Sequence, residues 1–89
     1  MSKWINARLY PRAQVNLPVM VRSSFEIQNL RMTDLSSGGA FVKSEDPFPI
    51  NCEVILVSTS QWIGRVVRHS QDPKNPGMGI QFNVLAPKY

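Results

Sequence analysis

VNLPVMVR, Val15–Arg22, decides the fold class. Val15, Leu17, Val19 and Val21 alternate with Asn16, Pro18, Met20 and Arg22. A period of two is the mark of a strand with one face in the core and one in water. Pro18 has no amide hydrogen to give to a ladder, which places this strand at an edge or beside a bulge.

Working outward, the same period runs through nearly the whole chain. Phe25 and Ile27 continue the alternation, and the phase then slips by one to Leu30 and Met32. A slip of one residue reverses every later side chain, so a bulge near Asn29 is expected inside one long, bent strand from about Ser24 to Thr33. DLSSGG, Asp34 to Gly39, is rich in turn residues and should reverse the chain, with Gly38 or Gly39 supplying a positive φ. GAFVKS is a short strand, SEDPFPIN a loop with two prolines, and CEVILVS a buried strand. Ser58 to Ser60 is a tight connection into QWIGRVVRH, where Gly64 suggests a bend or a close backbone approach. QDPKNPG is a loop, and GMGIQFNVL closes the pattern with Met78, Ile80, Phe82 and Val84 on one face. Six short strands without an amphipathic helix predict an all-β sandwich or a small barrel. Closure is favoured because it removes exposed edges.

At 89 residues the chain is one domain. With 43% hydrophobic and 18% charged residues it is able to build a modest core, which excludes a disordered tail. The formal charge of +4 favours anionic partners without selecting among them. Cys52 and His69 are the only residues of their kinds. They allow no internal disulfide and no cysteine metal cluster, and no metal site is expected. A single thiol fits a reducing cytoplasm. No apolar run reaches the roughly 18 residues of a membrane span, and MSKWINARLY lacks the apolar stretch of a secretory signal. No nucleophile–base pair or phosphate loop is visible, so an enzyme is not expected.

Two stretches carry chemistry. RLYPR places Arg8 and Arg12 four residues apart, and no acidic residue precedes Glu26. Pro11 pushes Tyr10 out of helical conformation, so residues 1–12 read as an arm and 13–89 as the barrel. Paired guanidinium groups take phosphate oxygens through two hydrogen bonds each and stack on nucleobases; a solvated basic arm is the plainer reading. In DLSSGG, Asp34 and Ser36 satisfy turn backbone groups, or the turn amides form an anion-binding concavity. Asp34 would repel phosphate, so as a ligand group it suits hydrogen-bond donors such as the N1 and N2 hydrogens of guanine.

RLYPR fits R-x-x-x-R, DLSSGG contains D-x-S-x-x-G through Asp34, Ser36 and Gly39, and the chain closes on GMGIQF. In this order, from about Arg8 to Val84, the sequence resembles the PilZ domain family, bacterial receptors for cyclic di-GMP. The resemblance implies a six-stranded antiparallel β-barrel of split-barrel type, with the nucleotide held outside it by a flexible N-terminal arm. Carried over, Arg8 and Arg12 contact phosphates and stack on guanine, Asp34 and Ser36 hydrogen-bond guanine or phosphate, and Gly39 permits close approach. Trp4, Ala7, Tyr10, Ser37 and Gly38 are further candidate contacts. Ala7 stands where many members carry a basic or apolar residue, a position linked to whether one nucleotide or a stacked pair binds. After the last strand LAPKY is too short for the helix that many members lay across the barrel, so either this is a trimmed domain or the core is completed by another route, dimerisation included.

The expected function is a non-enzymatic cyclic di-GMP receptor or adaptor without a cofactor. It would reorder its arm on binding and relay the signal to a separate partner protein. The alternative is a PilZ-like interaction module acting without nucleotide in motility or pilus machinery. A single-stranded nucleic-acid binder fits less well because the positive charges are thinly spread, so no DNA or RNA partner is expected. Of the remaining residues, Trp62 is expected in the core or on the barrel surface, His69 at a solvated strand end and Cys52 as a small core residue. By parity Arg65 and Arg68 fall on opposite faces of their strand.

Overall fold

The computed structural model describes residues 12–83. They form six strands, β1 (Ala13–Arg22), β2 (Ile27–Leu35), β3 (Gly39–Lys43), β4 (Glu53–Val57), β5 (Gln61–His69) and β6 (Gly77–Phe82). All neighbouring pairs are antiparallel, and the sheet closes in the order β1-β2-β3-β6-β5-β4. Of the sandwich and the small barrel left open by the alternation, the barrel is observed, all-β with six antiparallel strands as the family resemblance implies. Among the described residues no helix is long and apolar enough to cross a membrane.

Closure turns the apolar half of every strand inward. Val19 and Val21 of β1 meet Met32, Val42, Val54, Leu56 and Val66, while Met78, Ile80 and Phe82 of β6 complete the core. Leu17 and Val15 pack against it, as their place in the alternation requires. β4 pairs only with Met20, Val21 and Arg22, so Pro18 lies beyond its reach and needs no amide hydrogen on that side. The Ser58 hydroxyl donates to the Pro18 carbonyl (2.8 Å). The register of β1 on β2 also shifts between Gln14 and Leu17, next to this proline.

The phase slip between Ile27 and Leu30 needs no bulge: Ile27, 57% exposed, faces outward at the start of β2, while Leu30 and Met32 lie on the inward face. Ser23–Glu26 is a hairpin turn: Ser23 N–H donates to Glu26 O (2.8 Å), and the Ser23 hydroxyl accepts from the amides of Phe25 and Glu26. No strand therefore runs from Ser24, and the pairing from Arg22↔Ile27 to Leu17↔Met32 is regular past Asn29. The bulge expected there sits at Thr33 instead, where β2 shifts register against β3.

One end of the barrel is stoppered by a residue that reads as loop. Phe48, between β3 and β4, is 1% exposed and belongs to the core cluster. The Phe25 ring meets it edge-on, centroids 5.7 Å apart. His69 Nε2 lies 2.7 Å from the Phe48 carbonyl oxygen, so the ring proton sits on Nε2 and the histidine is an anchor rather than a solvated strand end. At the same end the buried Ser44 hydroxyl donates to Gln28 Oε1 (3.1 Å), which gives an inward-leaning amide its partner. Cys52 is half-buried against the core. Trp62 is half-buried as well, its ring stacked on Phe82 at 5.6 Å.

Candidate functional site

The end opposite Phe48 carries the turn between β2 and β3. Asp34 and Leu35 still belong to β2, so the reversal is confined to Ser36–Gly38. The Ser36 amide and hydroxyl both donate to Gly39 O, at 2.9 and 3.3 Å, and the same hydroxyl accepts from Gly38 N–H. Gly38 O in turn accepts from Phe82 N–H (2.9 Å), tying the turn to the end of β6. No glycine among the described residues has a positive φ, so this turn does not use the left-handed region. Gly39 is small for another reason. A Cβ there would lie 2.3 Å from Ile80 O, inside the backbone of the strand with which β3 closes the barrel. Gly64 meets the same constraint against Gln81 O, the close approach that its place inside a strand suggests.

The register sets which way the charged residues point. Met32 pairs with Val42 and Asp34 with Phe41, two steps on β2 against one on β3. A bulge of this kind reverses the facing of the residues beyond it. Asp34 would face the core by simple alternation from Met32, and the bulge at Thr33 turns it to the outer surface. β5 repeats the device: Val66 pairs with Ile80, and Arg68 with Gly79. The bulge at Val67 puts Arg68 on the outer face with Arg65, which pairs with the outward Gln81. The two arginines therefore share a face, contrary to the parity of the sequence.

Asp34, Phe41, Gly79 and Arg68 consequently form one outward row across β2, β3, β6 and β5. Phe41 is only 8% exposed yet lies outside the core cluster, because Arg68 covers it, with the guanidinium carbon 5.8 Å from the ring centroid. A cleft of about 700 Å³ opens over this row. Arg12, Asp34, Ser36, Gly38 and Gly39 line it, joined by Arg68 and Gln81. An adjoining polar hollow of about 420 Å³ shares Asp34, Phe41 and Arg68 with it and adds Lys43, Ser70 and Asn75.

Of the residues singled out from the sequence, Arg12, Asp34, Ser36, Gly38 and Gly39 therefore converge, whereas Ser37 is exposed on the turn and does not line the cleft. Trp4, Ala7, Arg8 and Tyr10 lie outside the described residues. Arg68 and Phe41 were missed. The signal for them is GMG: glycines at two of the outward positions of β6, Gly77 and Gly79, leave room for side chains to lie flat on the sheet.

No curated protein matches the chain. Among solved structures, the inhibitor of motility MotI/DgrA of Bacillus subtilis is similar, with a TM-score of 0.72 and 21% identity over 86% of this chain and 42% of that one. PlzA of Borreliella burgdorferi, solved in complex with c-di-GMP, has a TM-score of 0.64 and 18% identity over 91% of this chain and 38% of its own. This chain thus spans less than half the length of either. The PilZ domain of CeSA from a cellulose-synthesizing bacterium aligns at a TM-score of 0.60 and 24% identity, covering 80% of this chain and 79% of that one. At these identities the likeness is one of fold. The family model for the PilZ domain matches residues 6–89, almost the entire chain. With a closed six-stranded barrel, Asp34, Ser36 and Gly39 at the junction of β2 and β3, and this match, the chain belongs to the PilZ domain family.

Proposed function

We propose that this domain is a receptor for cyclic di-GMP that acts by binding rather than by catalysis. The observation that carries the reading is the convergence of Arg12 with Asp34, Ser36 and Gly39 in one cleft outside the barrel. Asp34, Ser36 and Gly39 come from β2, the turn after it and the start of β3, and folding brings Arg12, from the segment before β1, to them. A cyclic dinucleotide offers phosphates and guanine edges together, which suits a cleft lined by two cations, Arg12 and Arg68, and a carboxylate, Asp34. PlzA, of similar fold, was solved with this nucleotide, and family membership supports carrying the ligand across.

In this reading Arg12 and Arg8 take phosphate oxygens and stack on guanine, Asp34 accepts from a guanine edge, and the Ser36 hydroxyl donates to the ligand. Residues 1–12 act as an arm that orders over the nucleotide, and the reshaped surface is what a separate partner protein reads. Part of the contact energy then goes into fixing the arm. Calorimetric titration of the wild type and Arg12→Ala with cyclic di-GMP tests this. Loss of one charged hydrogen-bonding arginine should cost about 1.5–3 kcal/mol, roughly ten- to more than a hundredfold in affinity. No binding by the wild type at high nucleotide concentration would refute the reading and favour an interaction module that works without nucleotide.

A further inference from the structure

We infer that Arg68 is a third anion-holding side chain of this site, seated in advance on the barrel itself; the inference rests on the cyclic di-GMP reading. Neither of the two sequence motifs contains it. Three observations converge on it.

First, the bulge at Val67 turns Arg68 outward into the row that begins at Asp34. Three inter-strand steps separate the two residues, roughly 14 Å of sheet at the usual strand spacing. Their side chains thus stand at opposite borders of one cleft, a hydrogen-bond acceptor on one side and a cation on the other. Second, the sheet is cut to fit this arginine. A Cβ on Gly79 would lie 3.0 Å from Arg68 Cγ and Nε, and a Cβ on Gly77 would lie 2.6 Å from the Phe41 ring. Both glycines leave space on the outer surface, one for the stem of Arg68 and one for the aromatic ring that it covers. Third, Arg68 is the cation common to the main cleft and to the hollow that holds Lys43.

A guanidinium supported on an aromatic face keeps its N–H edge free for bonds in the plane of the group. Arg68 would present that edge to a phosphate oxygen while Asp34 accepts from the guanine at the other border. The stem of Arg68 already lies beside Gly79 and over Phe41 while the residue stays exposed, so presenting its head group requires no folding of the arm.

The test is calorimetric titration with cyclic di-GMP at low and high salt, on the wild type, Arg12→Ala, Arg68→Met and Arg68→Lys, with thermal melting of each. Methionine keeps an apolar stem over Phe41, and lysine keeps stem and charge but loses the planar edge. The expected result is a loss of about tenfold or more in Arg68→Met, a smaller loss in Arg68→Lys, and a weaker salt dependence of affinity in the methionine variant. Wild-type affinity and salt dependence in both Arg68 variants, while Arg12→Ala loses binding, would overturn this inference and leave the receptor reading intact. If Arg68→Met melts early, the lysine variant decides: unchanged affinity there overturns the inference. A wild type that does not bind overturns both.

Discussion

Asp34 on β2 stands opposite Phe41 on β3, although Met32, two residues earlier, stands opposite Val42, the very next residue. That mismatch of one residue is the bulge at Thr33, and it decides that a carboxylate faces solvent rather than the core. An ionised carboxylate left inside without a partner would cost several kcal/mol. The bulge thus serves stability and positions the site at once.

Asp34→Asn keeps the shape of this outward residue and removes its charge. The melting temperature should stay close to that of the wild type, since the change is at the surface. Affinity for cyclic di-GMP should fall about tenfold, the difference between a charged and a neutral acceptor. Titration calorimetry with a parallel thermal melt checks it; undiminished affinity would remove Asp34 from the ligand contacts.

Gly39→Ala should damage fold and site together. The added methyl meets the Ile80 carbonyl oxygen, which is backbone and cannot swing aside. The pair Gly39↔Gln81 then has to part where β3 closes on β6, at a cost of about 1–3 kcal/mol. Urea denaturation measures the loss, and a variant as stable as the wild type would show that this contact is not tight.

Phe48→Ala removes the stopper at the far end. A buried aromatic truncated to alanine costs about 3–5 kcal/mol, a large share of the roughly 5–15 kcal/mol available to a domain. The folded fraction, read by circular dichroism in denaturant, should drop accordingly. Nucleotide affinity of the protein that remains folded should change little, because the cleft's motif residues lie at the other end.

His69→Ala leaves the Phe48 carbonyl without the donor it now has at 2.7 Å. The expected loss is about 1–3 kcal/mol, the range for an orphaned buried acceptor. Chemical denaturation distinguishes this from a solvent-exposed histidine, whose removal would register within about 0.5 kcal/mol.

The alternation of Val15 to Val21 was sufficient for β1 and the apolar run of Val54 to Val57 for β4, because such patterns are local. The same local rule misread Arg65 and Arg68, since parity assumes an unbroken pleat and the residue that breaks it, Val67, looks like any strand residue. It also misplaced the bulge of β2, because it took the apolar Ile27 for an inward residue, whereas Ile27 is exposed on the outer face. Phe48 read as loop because its neighbours Pro47 and Pro49 do, and burial from a loop leaves no periodic trace.

What the sequence by itself determined is the all-β class and the set of six strands, because the facing of side chains along a strand is set by near neighbours. The tertiary structure alone decided that β3 closes on β6, that bulges in β2 and β5 turn Asp34 and Arg68 outward, and that Arg12 reaches the same cleft. Those outcomes depend on pairings between strands, from Asp34↔Phe41, 7 positions apart, to Phe41↔Gly79, 38 positions apart. There the winning register is the one that buries Met32, Val42, Val66 and Ile80 together while leaving the charges in water.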